Sequence, residues 1–221
     1  MNTQLVFVGL PYAAIIVFLA GLVWRYRSRG TISSLSSQLL ESRWLAWGSV
    51  PFHLGIAILV VGHLVPVIVP GAWQALLSNR NVLLTVETIG AAAAVLCLAG
   101  LIVLLVRRVS TASLRASSTV FDIIVLALLI AQVVLGLEVA ITQRWGALWS
   151  ARTTTPYLWS VFTFRPDPTF LTGMPLPVTL HIIGAWITLA LIPFTRLVHM
   201  FSLPVGYLFR APQRVLWAKK M

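Results

Sequence analysis

Residues 178–204 read VTLHIIGAWITLALIPFTRLVHMFSLP, an apolar run long enough to cross a bilayer, with a histidine near each end. His181 and His199 are eighteen residues apart. On an unbroken helix that spacing is about five whole turns, which puts both imidazoles on one face, about 27 Å apart along the axis. The other two histidines, His53 and His63, share a second apolar run. Ionisable side chains inside a bilayer are costly to keep there, so all four are candidates for function.

The composition of the chain agrees with a membrane setting. Of 221 residues, 59% are hydrophobic and 10% charged, which is too apolar for a soluble domain and leaves no room for a sizeable one beside the spans. The net charge of +11 comes from basic residues scattered between apolar runs. That pattern is a topology signal and not a phosphate-binding surface, so no nucleic-acid partner is expected. Cys97 is the single cysteine. It excludes an internal disulfide and supplies no thiolate set for zinc or an iron–sulfur cluster, so any metal must come through histidine.

Working outward from the opening stretch, the sequence predicts an all-α integral membrane bundle of five transmembrane helices. It forms one membrane domain over residues 1–221, with spans at about 5–24, 48–70, 82–106, 120–141 and 178–203. The first run ends in Trp24-Arg25-Tyr26-Arg27-Ser28-Arg29 and lacks a basic start and a small-residue cleavage site, so it reads as a retained span. Ser33 or Ser34 could cap a short surface helix, and Trp44 and Trp47 suit an interfacial anchor. Residues 71–81 are expected to be a loop. A polar linker carrying Arg115 should join the third and fourth spans, and residues 142–177 should fold as a cap over one end of the bundle.

An odd number of spans puts the termini on opposite sides. Arg25, Arg27, Arg29, Arg43, Arg107, Arg108, Arg115, Arg196, Arg210, Arg214, Lys219 and Lys220 fall on one side, against Arg80, Arg144, Arg152 and Arg165 on the other. Basic residues collect on the cytoplasmic side, which predicts an outside N-terminus and a cytoplasmic C-terminus, in the cell's inner (plasma) membrane.

That orientation gives each histidine a depth. The second and fifth spans run antiparallel and offer an outer pair, His63 with His181, and an inner pair, His53 with His199. Two histidines from facing helices are the axial ligand set of a b-type haem, whose planar apolar macrocycle fits between spans. The residues therefore predict two haems stacked across the membrane. The spacing fits unevenly, because ten residues between His53 and His63 give about 15 Å of rise against about 27 Å on the partner, so splayed ligands or bends at Pro51, Pro66 or Pro193 are required.

Other readings of these residues stand beside this one. Histidines can relay protons or fill a bundle in a cofactor-free transporter or assembly anchor, although relays usually place acids mid-membrane and here Glu87, Asp122 and Glu138 lie near span ends. Arg196, three residues before His199, can pair with a haem propionate or snorkel as a basic anchor, and Arg115 has the same two readings. Gly55, Gly62 and Gly184 can clear room for a porphyrin or serve helix contact.

The stretches FHLGIAILVVGHLVP at 52–66, SLRASSTVFD at 113–122 and PFTRLVHMFSLPVGYL at 193–208 resemble the gamma subunit of respiratory nitrate reductase, a dihaem cytochrome b. The resemblance covers nearly the whole chain, with all four histidines in register. It implies quinol oxidation at the outer end, beside the haem held by His63 and His181. It further implies electron passage through the haem held by His53 and His199 to an iron–sulfur subunit and a molybdenum catalytic subunit on the cytoplasmic face. In the same family Gly62 matches a glycine beside the quinol site, and Arg115 and Arg196 match arginines of the inner side. The loop between the second and third spans offers Arg80 where the family supplies a lysine. Related five-span cytochromes serve sulfite and heterodisulfide reductases, so the scaffold alone leaves the terminal acceptor open. No residue is expected to perform bond-making catalysis.

Overall fold

The computed structural model describes residues 3–28, 43–143 and 146–201. The expectations for Ser33, Ser34, Arg29, Arg144 and the four tail bases lie outside them. Five helices are long and apolar enough to cross a membrane: Leu5–Arg27, Trp44–Ile68, Arg80–Ser110, Val120–Thr142 and Leu176–Phe194. Between and within these spans run α1 (Leu10–Arg27, entered through a π-helical turn Leu5–Gly9), α2 (Arg43–Ile68), α3 (Pro70–Leu77), α4 (Arg80–Ser110) and α5 (Ala112–Ser117). They are followed by α6 (Val120–Thr142), α7 (Gly146–Arg152), α8 (Thr154–Phe162) and α9 (Leu176–Leu191). There is no strand among the described residues.

The bundle is an arc in which α2 packs on α4, α4 on α6, α6 on α9 and α9 on α1. Small residues set the tightest of these contacts. A Cβ on Gly100 would stand 2.5 Å from the Phe52 nitrogen and 2.6 Å from the Gly48 carbonyl oxygen, and one on Gly55 would stand 2.5 Å from the Ala93 carbonyl oxygen. Gly55 thus serves helix contact. One apolar cluster joins α2, α4 and α6 through Ala94, Cys97, Leu101 and Val133, and a second joins α1, α8 and α9 through Ala14, Tyr157, Val161, Ile182 and Trp186. The two ends of the arc, α2 and α9, pack only marginally against each other and leave a gap between the clusters. Leu54, Val61, Ile102 and Val120 are exposed, as lipid-facing side chains should be.

Several connections are more ordered than composition suggests. Residues 71–77, expected as loop, fall within α3, because Pro70 sits at the first helical position, where its missing N–H costs nothing. The polar linker with Arg115 forms α5. The third span continues past Arg107 and Arg108 to Ser110, and Arg107 is buried.

The cap over residues 146–171 consists of α7, α8 and a 3₁₀ turn at Pro168–Leu171, and polar groups stitch it to the bundle. The Tyr157 hydroxyl donates to the Phe7 carbonyl (2.9 Å), the Trp159 indole to the Val67 carbonyl (3.0 Å) and the Ala147 N–H to the Glu87 carboxylate (3.3 Å). Burial pushes the Tyr157 phenol up to about 12, so it remains a donor at every physiological pH.

The fifth span departs most from the sequence reading. The regular helix ends at Leu191, a 3₁₀ turn covers Ile192–Phe194, Thr195 is extended (φ −125°, ψ 176°), and a second 3₁₀ turn covers Arg196–Met200. Pro193 has no N–H to give to the preceding turn. Thr195 then uses its side chain in place of helix bonds, with Oγ1 donating to the Ile192 carbonyl (3.2 Å) and accepting from the Leu197 N–H (3.3 Å). An unbroken five-turn helix from His181 to His199 is therefore not what this chain forms.

Candidate haem-binding site

Although that helix is broken, the histidines meet in the expected pairs. His53 on α2 faces His199 on the Arg196–Met200 turn with ring centroids 6.0 Å apart, and His63 on α2 faces His181 on α9 at 6.2 Å. The pairs bridge the gap between α2 and α9, where His53, His63 and His199 are exposed and His181 is half-buried.

Hydrogen bonds fix which nitrogen each ring offers to its partner. Nδ1 of His53 donates to the Ser49 carbonyl (2.7 Å), Nδ1 of His63 to the Leu59 carbonyl (2.6 Å) and Nδ1 of His199 to the Arg196 carbonyl (2.6 Å). With the proton held there, Nε2 keeps its lone pair, the form a metal requires. The fourth ring is held differently. Nδ1 of His181 is buried without a hydrogen-bond partner among the described residues, and the ring sits in a notch on α6, where a Cβ on Gly136 would stand 3.2 Å from its Cε1.

Two imidazoles sharing one metal ion end-on, with bonds of about 2 Å, have ring centroids about 6 Å apart, and both pairs match that spacing. Among the described residues no group of three or more His, Cys, Asp or Glu side chains converges. Each pair thus supplies two nitrogens, too few for a tetrahedral zinc site. Two axial nitrogens suit a haem, whose macrocycle supplies the remaining four. The residues fit the group.

The other candidates sort by position. A side chain at Gly62 would meet nothing within 4 Å, so the residue beside His63 opens on free space. Gly184 instead lies under the Gln132 side chain and serves helix contact. Arg115 is exposed on α5. Arg196 places its Nε 2.8 Å from Asp122 Oδ1, and Arg108 Nη1 lies 3.1 Å from Asp122 Oδ2. Sequence reasoning passed over Asp122 and Gly136 as site residues. The segment Thr119-Val120-Phe121-Asp122 does carry a helix-start signature that could have drawn notice. Nothing in the sequence marks Gly136.

Comparison with known proteins decides the family. The nitrate reductase gamma subunit model matches residues 3–218. This chain belongs to the nitrate reductase gamma subunit family. The nitrate reductase gamma chain of Bacillus subtilis (strain 168) is 33% identical over 215 residues, covering 96% of each chain. The respiratory nitrate reductase 1 gamma chain of Escherichia coli (strain K12) is 33% identical over 212 residues, covering 93% of each. The nitrate reductase-like protein NarX of Mycobacterium tuberculosis is 34% identical over 217 residues, which are 95% of this chain but 33% of that protein. With its five spans, the chain is a multi-pass membrane protein and a membrane subunit of a nitrate reductase, one component of an oxidoreductase complex.

Proposed function

We propose that this gamma-family chain is a dihaem b-type cytochrome that oxidises membrane quinol near the outer face. On this reading it passes electrons to iron–sulfur and molybdenum subunits on the cytoplasmic side. The observation that carries the reading is the closure of two histidine pairs, at 6.0 and 6.2 Å, by one helix and one broken span. The split of basic residues supports an outside N-terminus, which makes His63 and His181 the outer ligands and His53 and His199 the inner ones. When bound, the haems supply one-electron redox centres at two depths of the membrane.

The chain's own residues do the rest. Carbonyls of Ser49, Leu59 and Arg196 hold three imidazoles in one tautomer and orientation. Gly62, with open space beside it, would let a flat quinol ring approach His63. Quinol gives up two protons with its two electrons, and at the outer end those protons leave to the outside. Arg115 and Arg196 are the cations that would meet haem propionates or the docked partner at the inner end.

The test is an absorbance spectrum of the detergent-extracted complex, reduced with quinol and followed by pyridine haemochrome quantification and then nitrate. About two b haems per chain, reduced by quinol and reoxidised by nitrate, are expected. Absence of haem would sink the reading. Haems that nitrate leaves reduced in the intact complex would assign a different terminal acceptor, such as sulfite or a heterodisulfide.

A further inference from the structure

We propose that Asp122 is the positioning residue for the inner ligand His199 and acts through Arg196, a role that rests on the dihaem reading above. His199 does not stand on a regular helix. Its turn, the short 3₁₀ segment Arg196–Met200, follows the extended Thr195, with the Val198 N–H donating to the Thr195 carbonyl at its start (3.4 Å) and the Phe201 N–H to the Val198 carbonyl at its end (3.0 Å). A single 3₁₀ turn has poorer hydrogen-bond geometry than an α-helix and holds a side chain less firmly. Val198, which is buried, seats the turn by packing. The rotation of the turn about that seat, which sets where His199 points, needs a second anchor.

Arg196 supplies that anchor through both its ends. Its side chain reaches Asp122, Nε to Oδ1 at 2.8 Å, while its backbone carbonyl accepts the Nδ1 proton of His199 at 2.6 Å. Asp122 is itself immobilised. Its Oδ2 accepts from the Thr119 N–H (3.0 Å), and its N–H donates to Thr119 Oγ1 (3.3 Å), which closes a capping box at the start of α6. Arg108 at the end of α4 adds Nη1 to Oδ2 at 3.1 Å and also donates to Ser118 Oγ (2.8 Å). One carboxylate, 8% exposed, therefore joins α4, the α5–α6 connection, α6 and the His199 turn. The path from Asp122 through Arg196 to His199 sets the direction and the tautomer of a ligand that stands on a short 3₁₀ turn. His63 and His181, at the other end of the bundle, share none of these contacts.

The test compares Asp122→Asn with the parent in the assembled, membrane-embedded complex, using electron paramagnetic resonance and a redox titration that resolves the two haems. The expected result is a displaced low-spin signal and a roughly 10-fold loss of retention for the inner haem, with the outer haem unchanged as internal reference. Thr119→Ala, which removes the cap but leaves the Arg196 contact, should leave both signals in place. If Asp122→Asn does not accumulate, Asp122→Glu decides, because it keeps the charge and lengthens the arm. An inner signal displaced alone then supports the role, and an inner signal identical to the parent's overturns it. Equal disturbance of both haems in Asp122→Asn, or an inner-haem change in Thr119→Ala as large as that in Asp122→Asn, also overturns it. Parent complex with two haems and an unchanged variant refutes this inference alone, whereas parent complex without haem refutes the dihaem reading beneath it.

Discussion

The two ends of the bundle solve one problem by different means. At the His63–His181 end the second histidine stands on regular helix, half-buried and seated against Gly136, under the cap formed by α7 and α8. At the His53–His199 end it stands on an irregular turn held by an ion pair to Asp122. One histidine is placed by packing and the other by a polar tether. Yet the ring separations differ by only 0.2 Å, 6.0 against 6.2 Å, so the two devices reach the same geometry. Damage to packing and damage to the tether should therefore be separable by which haem responds.

The largest effect should come from a change that respects neither end. Gly100→Leu places carbon where the Phe52 nitrogen and Gly48 carbonyl already stand, and these backbone atoms cannot yield without separating α2 from α4. Because α2 carries one histidine of each proposed ligand pair, loss of both haems, or failure of the chain to accumulate, is expected by pyridine haemochrome and immunoblot. A variant that retains both haems would mean that the α2–α4 contact does not support the site. Next in size is His63→Ala, which should halve the haem content and remove quinol oxidation while the His53–His199 signal persists. A loss of the His53–His199 signal instead would overturn the pairing. The rate should fall by more than the roughly 100-fold that loss of an outer partner of a ligand brings.

A smaller, one-ended effect is expected of Gly136→Val. Its Cβ would stand 3.2 Å from Cε1 of His181, and its methyl groups would press further into the ring. The His63–His181 haem should lose roughly 10-fold in retention, with the other haem untouched. Spectra in which both haems weaken together would show that the two ends are coupled through α6.

How much of this was legible in the sequence depends on the range of the forces involved. The five spans and the pairing of the four histidines could be read, because hydropathy and antiparallel order are properties of long segments and average over local detail. The shape of the fifth span could not. Pro193 was visible as a possible bend, but the extended Thr195 and the turn after it depend on side-chain bonds to the Ile192 carbonyl and Leu197 N–H that compete with helix. The rise of about 15 Å between His53 and His63 holds on the unbroken α2, whereas about 27 Å between His181 and His199 requires an unbroken helix where this one ends at Leu191. Asp122 was noticed only as an acid near a span end, since its meaning lies in Arg196, 74 residues later. Gly136 had no signal, because a notch is defined by the partner that fills it.

The mildest change sharpens the comparison from the capped end. Tyr157→Phe removes one hydroxyl, buried between α8 and the start of the first span, which donates to the Phe7 carbonyl at 2.9 Å. The ring packing against Phe7 (centroids 6.1 Å apart) remains, so the loss is that of buried hydrogen bonding at one hydroxyl, about 1–2 kcal/mol. Thermal unfolding in detergent, followed by circular dichroism, should show the lower stability with both haem spectra unchanged. The pH dependence supplies a second check. Burial raises the Tyr157 phenol from its ordinary 10.0 to about 12, so the folded chain holds that proton more tightly than the unfolded one. The stability this contributes is fully present below pH 10 and is lost as pH rises through about 12. The parent should therefore weaken across that alkaline window more steeply than the Phe variant, which has no phenol to ionise. Parallel alkaline curves would mean that the hydroxyl is not buried in the assembled protein, and a shift in the His63–His181 spectrum would mean that the cap bears directly on the ligand beneath it.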